Sequence, residues 1–253
     1  MAEKLFHPFL KRFRGGNLTM HNGFKEGAKD GIPIALGYFS VSFTFGMMAV
    51  NSGMAPIHAV LISLFNLTSA GQFAGLNIIL AGSSLIEMAL TQLVINMRYG
   101  LMSLSLSQKL DSSVTTWQRM MIAYGNTDEI FAVASSKTGT LGQVYMYGLI
   151  SLPVVGWVAG TLCGAVASTL MPEFIRTALG VALYGMFVAI VVPVAKKENT
   201  VRTVVFLSLI LSSVFYYVPV LNMVSDGFVI IICTLVAAGL GAVLFPLEEV
   251  EES

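Results

Sequence analysis

Three short groups of polar residues stand inside otherwise apolar stretches, and they are where this chain has chemistry available. The first, Asn66-Leu67-Thr68-Ser69-Ala70-Gly71-Gln72, gathers two amides, two hydroxyls and a glycine. In hydrocarbon each unpaired polar atom costs several kcal/mol, so such a group must be bonded or wet. A helix broken near Gly71 would expose backbone N–H groups at a half-helix N-terminus, whose partial positive charge suits a carboxylate. Close packing between helices is the alternative use of Ser, Thr and Gly. Asn66 and Gln72 exceed what packing alone requires.

The second group is Asn96-Met97-Arg98-Tyr99, with Glu87 some three turns earlier. A guanidinium at membrane depth turns toward the bundle interior or a wet cavity and seeks a partner. It can grip a substrate carboxylate through two parallel bonds, with Asn96 adding a donor and an acceptor. It can equally be paired with Asp128 or Glu129, or reach along its own stem to the interface. Glu87, near the start of its apolar segment, is expected at the membrane interface. The third group is Asp128-Glu129, the only adjacent acidic pair before the C-terminal tail. A carboxylate in a partly dry site can carry protons. As residues of a helix first turn, the same two would complement the helix dipole.

The elements that must hold these groups follow from composition. The 253 residues are 55% hydrophobic and 11% charged, with a mean hydropathy of +0.78, far from what a water-facing globule allows. Residues 31–86, 138–172, 177–195, 203–225 and 227–247 contain no Asp, Glu, Lys or Arg. A transmembrane helix needs about 20 apolar residues, so the fold class is all-α, a polytopic transmembrane bundle of about seven spans. These are expected near 31–50, 56–82, 84–108, 141–170, 176–195, 202–220 and 226–246, between a polar basic flank (1–30) and an acidic tail (247–253). A short helix is expected after Thr127 in the polar stretch 109–140. The twelve or so glycines in the spans read as packing residues.

The basic start (Lys4, Lys11, Arg12, Arg14, Lys25, Lys29) argues against a cleaved signal peptide and for a cytoplasmic N-terminus. On a seven-span count, Lys109, Arg119, Lys137, Lys196, Lys197 and Arg202 fall outside, nearly balancing those inside. A three-plus-three inverted repeat with one extra helix is a further expectation. It lays Gly46 on Gly160 and Gly71 on Gly185, with helices one to three repeating as four to six.

Cys163 and Cys233 lie in apolar runs and read as packing residues. His7, His21 and His58 have no zinc spacing, and no nucleotide loop, nucleophile elbow or nucleic-acid signature is present. Neither enzyme activity, a metal nor a cofactor is expected.

Taken together, Gly23-Phe24-Lys25-Glu26-Gly27 with Gly31-Ile32-Pro33 and Gly37, Phe45-Gly46, Ser69-Ala70-Gly71-Gln72-Phe73, Asn96-Met97-Arg98-Tyr99 and Thr127-Asp128-Glu129 resemble the AzlC-type branched-chain amino-acid permeases, large subunits of two-component bacterial exporters. The resemblance covers roughly residues 23–245. Tyr99 stands where that family often has a histidine. The resemblance implies export of leucine, isoleucine and valine across the bacterial cell membrane, with methionine or toxic analogues as further candidates. It also implies a small AzlD-type membrane partner and the proton motive force as the energy source.

On this reading Asn66, Ser69, Gly71, Gln72, Asn96 and Arg98 bind the backbone groups of the substrate, Phe73 and Met97 meet its side chain, and Asp128 and Glu129 serve proton coupling or an ion pair. A passive small-solute channel and a non-transporting membrane scaffold are the alternatives.

Overall fold

The computed structural model describes residues 20–170, 172, 174, 188 and 191–245. The expected span 176–195 lies largely outside them, as do residues 1–19 of the basic flank and the acidic tail. The first described segment is a two-residue strand, β1 (Met20–His21). Helices α1 (Phe24–Asn51), α2 (Pro56–Phe65), α3 (Ser69–Leu80), α4 (Leu85–Lys109), α5 (Thr116–Tyr124) and α6 (Asp128–Ser136) follow. Strand β2 (Thr140–Leu141) leads into α7 (Gln143–Leu170), and α8 (Asn199–Tyr217) and α9 (Asp226–Leu244) close the described chain. The protein is an all-α membrane bundle. Of the described helices, α1, α7, α8 and α9 are long and apolar enough to cross a bilayer. Helix α4, at 25 residues, is about 37 Å long and also reaches across the hydrocarbon core.

Helices α1 and α7 form the spine. Gly27 abuts Tyr145 and Leu149, Gly31 abuts Leu149 and Pro153, and Gly46 abuts Thr161 and Ala165, so the two run parallel in close backbone contact. The glycines are reciprocal: a Cβ on Gly148 would lie 2.2 Å from the Phe24 carbonyl oxygen, and one on Gly164 would lie 1.9 Å from that of Phe43. Small residues let membrane helices approach this closely where no hydrophobic effect drives them together. Gly164→Leu is therefore expected to force the spine apart, costing about 3 kcal/mol or more. The loss should register as a lower unfolding temperature of the purified protein in mild detergent.

The ends of the bundle are set by distant contacts. β1 pairs in parallel with β2, and Leu110 bridges Leu141. The start of α1, the end of α4 and the start of α7 therefore share one end, the near end. Lys137 clasps it, pairing with Asp30 at 2.7 Å, while Lys109 Nζ donates to the Ser135 carbonyl at 2.6 Å. At the far end Ser168 Oγ donates to Asn51 Oδ1 at 2.5 Å.

The segment 56–82, expected to cross as one interrupted span, does not cross. It leaves α1 at the far end and rejoins α4, which starts at the far end. Helices α2 and α3, of 10 and 12 residues, each reach about 15–18 Å, roughly half the core thickness, and turn back at Asn66-Leu67-Thr68. Helices α5 and α6 form the corresponding re-entrant hairpin from the near end, turning at Gly125-Asn126-Thr127.

Local chemistry explains both breaks. Pro56 opens α2, and a fixed φ suits a helix first position. Thr68 caps α3 by accepting the Gly71 N–H at 3.3 Å. Thr115 and Gln118 make a capping box on α5.

An inverted repeat is present, at a different offset from the one expected. Shifting by 59 positions lays Thr68 on Thr127 and superposes the order α1–α2–α3 on α4–α5–α6. Because α1 and α4 run in opposite directions, the two copies are inverted. The expected offset, Gly46 onto Gly160, requires α1 and α7 to be antiparallel, and the spine makes them parallel. Gly185 lies outside the described residues.

Re-entrance also changes which charges share an end. Lys25, Lys29, Lys109, Arg119 and Lys137 all belong to the near end. Helix α9 starts at the far end, with Gly227 on Glu87, and α8 runs antiparallel to it, with Gly241 against Val204. Lys196, Lys197 and Arg202 thus join the near end too.

Candidate functional site

The two hairpin tips meet in the middle of the bundle, where Tyr124 Oη donates to the Leu64 carbonyl. A small polar cavity of about 190 Å³ lies between the tips, lined by Asn66, Thr68, Asn96, Tyr99, Asn126 and Thr127 among others. A larger cavity of about 650 Å³ adjoins it, sharing Leu67, Tyr99 and Thr127. Its wall is mostly apolar (Pro33, Ile34, Val41, Leu67, Trp157), and its polar side is Tyr38, Ser69, Thr127, Asp128 and Glu129.

Each polar group there is held by a partner far away in sequence. The Tyr38 hydroxyl donates to Glu129 Oε2 at 2.5 Å and contacts the Thr127 hydroxyl. Its ring meets Trp157 edge to face at 5.2 Å. Thr127 occupies the N-cap of α6 but makes no capping bond, because its hydroxyl is turned to Tyr38. The first-turn N–H groups of α6 consequently lie open beside the cavity, next to those of α3 at Ser69. Two half-helix N-termini, each with its partial positive charge, face the same space.

The charges divide unequally. Arg98 Nη1 pairs with Asp128 Oδ2 at 2.9 Å, both side chains about half exposed, and its guanidinium lies over the Tyr99 ring at 5.0 Å. Arg98 thus neutralises Asp128. Glu129 has no cation within ion-pair distance among the described residues and carries the cavity's uncompensated charge. In the polar cavity, Asn126 Nδ2 donates to Ser103 at 3.0 Å and Asn96 Nδ2 to Gln92 Oε1 at 3.0 Å. Both amide oxygens, Asn96 Oδ1 and Asn126 Oδ1, are buried without a partner, and such unmet acceptors favour a donor group nearby.

The residues expected to bind substrate do not share one space. Ser69 reaches the large cavity, Asn66 and Asn96 the polar one, and Asn66, Gly71 and Gln72 together border a third cavity of about 420 Å³. Gln72 is 1% exposed and its amide is engaged on both sides. Nε2 donates to Ser63 Oγ at 2.8 Å, and Oε1 accepts from Trp157 Nε1 at 2.8 Å. Ser63 in turn meets Thr161 Oγ1 at 2.6 Å, so this chain of bonds fastens the first hairpin to α7.

Gly71 lets Gln92 donate to its carbonyl at 2.7 Å; a Cβ there would lie 2.7 Å from Gln92 Oε1. Arg98 lines a separate cleft with Ile230 and Thr234 of α9. Phe73 turns into the core against Phe45 at 5.6 Å, and Met97 is exposed; neither lines the large cavity.

Tyr38, Trp157 and Asn126 are site residues that sequence reasoning passed over, and Thr127 was read as a helix start and motif residue and not as part of the site. Asn126-Thr127 carried a signal, an amide and a hydroxyl ahead of a helix start as at Asn66-Leu67-Thr68, though adjacent and not one residue apart. Tyr38 and Trp157 carried none beyond being polar-tipped aromatics in apolar runs.

A bundle with paired re-entrant half-helices around an amphiphilic cavity is the architecture of a membrane transport protein. A family model described as AzlC protein matches residues 33–171, more than half of the chain, and the chain belongs to the AzlC family. Inner membrane protein YgaZ of Escherichia coli (strain K12) is 29% identical over 205 residues, 78% of this chain and 84% of that protein. An uncharacterized membrane protein of Archaeoglobus fulgidus is 30% identical over 178 residues, 70% of this chain and 78% of its own. One of Helicobacter pylori (strain ATCC 700392 / 26695) is 29% identical over 187 residues, 70% and 76% respectively. No solved structure matches the chain.

Proposed function

We propose that the protein is a secondary transporter that exports the branched-chain amino acids leucine, isoleucine and valine, with unbranched methionine as a further candidate substrate, across the bacterial cell membrane. It works with a small AzlD-type membrane subunit and is driven by the proton motive force. The observation that carries the substrate class is the joined pair of cavities, one polar and one apolar, at the meeting of two half-helix N-termini.

A zwitterion with an aliphatic tail fits this division. Its carboxylate accepts from the uncapped first-turn N–H groups of α6, beside the start of α3 at Ser69. Its ammonium is drawn to Glu129 and to the unpaired oxygens of Asn96 and Asn126. Its side chain lies along Ile34, Val41, Leu67 and Trp157. One methylene in an apolar pocket changes binding by only about 1–3 kcal/mol, so specificity among these side chains is broad.

The reading places the near end in the cytoplasm. Eight described Lys and Arg residues share that end, whereas the far-end connections 52–55 and 81–84 carry no charged residue, and basic loops stay inside. This supports a cytoplasmic N-terminus more strongly than a seven-span count does. In a variant lacking Cys163 and Cys233, an impermeant maleimide applied to intact cells should label Ser83→Cys and not Ser113→Cys. The opposite pattern would invert the orientation.

The function itself is tested by counterflow of radiolabelled leucine in vesicles holding this chain with and without the small subunit. Accumulation against a gradient that requires the subunit supports the exporter and excludes a passive channel. No leucine movement in intact, partnered protein would sink the substrate assignment.

A further inference from the structure

Thr68 and Thr127 hold the same place in the two repeats, 59 positions apart, at the N-caps of α3 and α6. Both are buried at the hairpin tips, yet they are in different states. Thr68 Oγ1 accepts the Gly71 N–H at 3.3 Å and caps α3. Thr127 leaves α6 uncapped and meets the Tyr38 hydroxyl. Each threonine faces a tyrosine from the long helix of the opposite repeat: Tyr38 of α1 reaches Thr127, and Tyr99 of α4 reaches Thr68 with its Oη at 3.4 Å.

The hydroxyl protons decide how each contact is made. Tyr38 has one O–H, and the Glu129 carboxylate at 2.5 Å accepts it, so the contact with Thr127 uses the threonine's own O–H. Tyr99 is less committed: its 3.4 Å to Thr68 is longer than an ordinary O–H···O bond. A threonine that caps its helix and one that bonds a tyrosine gain similar amounts, so the two states of either residue lie close in free energy. The uncapped threonine is the one on the large cavity, whereas Thr68 borders only the small one. One tip is thus in each of two states that the repeat makes available to both.

We propose that Thr68 and Thr127 are the two ends of one conformational switch, and that exchanging their caps changes the end of the bundle to which the central cavity opens. In the exchanged state Thr127 turns from Tyr38 to cap α6, and Thr68 leaves Gly71 for a closer bond with Tyr99. Because the repeats are inverted, the exchange passes the open helix N-terminus from one hairpin to the other and reverses the direction of access. Arg98 couples the two ends. Its Nη2 donates to Tyr99 Oη at 3.3 Å and its Nη1 pairs with Asp128 in the first turn of α6 at 2.9 Å, so a shift of that turn is felt by the tyrosine facing Thr68.

Helix α9 shows the contrast. Its first-turn Gly227 N–H is taken by Glu87 of α4, with Oε1 at 3.0 Å. Glu87 is 4% exposed, so it is not the interfacial residue expected from its place near a helix start. A helix start held by a side chain of another span is anchored to that span. At α3 and α6 the cap belongs to the hairpin's own tip and turns about one side-chain torsion between two partners.

The switch deepens the transporter reading and rests on it for its role in a cycle, while the exchange itself is testable without substrate. Ser40 lines the large cavity, and its hydroxyl bonds back to Leu36 in its own helix, so Ser40→Cys in a parent lacking Cys163 and Cys233 reports access to that cavity. The full chain is labelled with an impermeant maleimide in right-side-out and in inside-out membrane vesicles, and the ratio of the two rates measures which end is open. Tyr38→Phe removes the hydroxyl that holds Thr127 off α6 and keeps the ring on Trp157; it should move the ratio about tenfold toward one end. Tyr99→Phe removes the hydroxyl that receives Thr68 and keeps the ring under Arg98; it should move the ratio about fivefold toward the opposite end. The double variant should return to within about twofold of the parent, the quotient of the two shifts. Shifts in the same direction, or no shift in variants whose unfolding temperature matches the parent's, overturn the proposal. If the parent moves no leucine, the substrate reading falls and the labelling ratios still decide the exchange.

Discussion

With leucine as the proposed substrate, Glu129→Gln is expected to reduce counterflow on the order of 100-fold while leaving the protein folded and inserted. The size follows from the charge balance of the cavity. Asp128 is already neutralised by Arg98 at 2.9 Å, so Glu129 supplies the anionic charge available to a substrate ammonium. Losing one partner of a desolvated, hydrogen-bonded charge pair costs roughly 2–5 kcal/mol. The amide of the variant still accepts from Tyr38, so the first turn of α6 keeps its place. Tyr38→Phe leaves the charge and removes the hydroxyl that steers it, and a fall of about tenfold is expected, the worth of one hydrogen bond to a charged group. Counterflow at matched insertion levels measures both. Equal, small effects from the two variants would show that Glu129 positions the tip and does not meet substrate.

Gln72→Leu will destabilise the protein by about 3–5 kcal/mol, because two buried groups lose their partners together. Trp157 Nε1 would be left without an acceptor, and Ser63 would lose the donor that ties α2 to α3. Leucine is close to glutamine in volume, so the loss is of hydrogen bonds and not of packing. Unfolding of the purified protein, followed by tryptophan fluorescence or by aggregation on heating, should show a transition well below that of wild type. The expectation also separates two roles for Gln72. A ligand for substrate would raise the apparent KM at unchanged stability, whereas a fastening for the hairpin lowers stability first.

Much of the site was legible as residue type. The polar run at Asn66–Gln72 does mark a helix break, though the turn falls at Asn66-Leu67-Thr68, ahead of Gly71, because Thr68 provides the cap. Arg98 and Asp128 were legible as charges that need partners, and the structure pairs them with each other. The roles within the cluster were not legible. Whether an amide such as Gln72 points at a cavity or is consumed by a tryptophan 85 positions away depends on packing that local sequence does not encode.

By itself the sequence determined the solvent and the fold class. Stretches of span length without a single charged side chain cannot face water, and in hydrocarbon only a helix satisfies its own backbone, so an all-α membrane bundle follows from composition alone. It also determined that a helix would break within Asn66–Gln72, where Asn, Thr and Gly gather.

Only the tertiary structure decided that α2–α3 and α5–α6 turn back. A half-helix of about ten apolar residues has the same local composition whether its successor continues across or returns. The choice is made by contacts between remote segments: β1 on β2, Leu110 on Leu141 and Asn51 on Ser168. That choice gives the repeat its offset, brings eight of the described basic residues to one end, and joins two helix N-termini around one cavity.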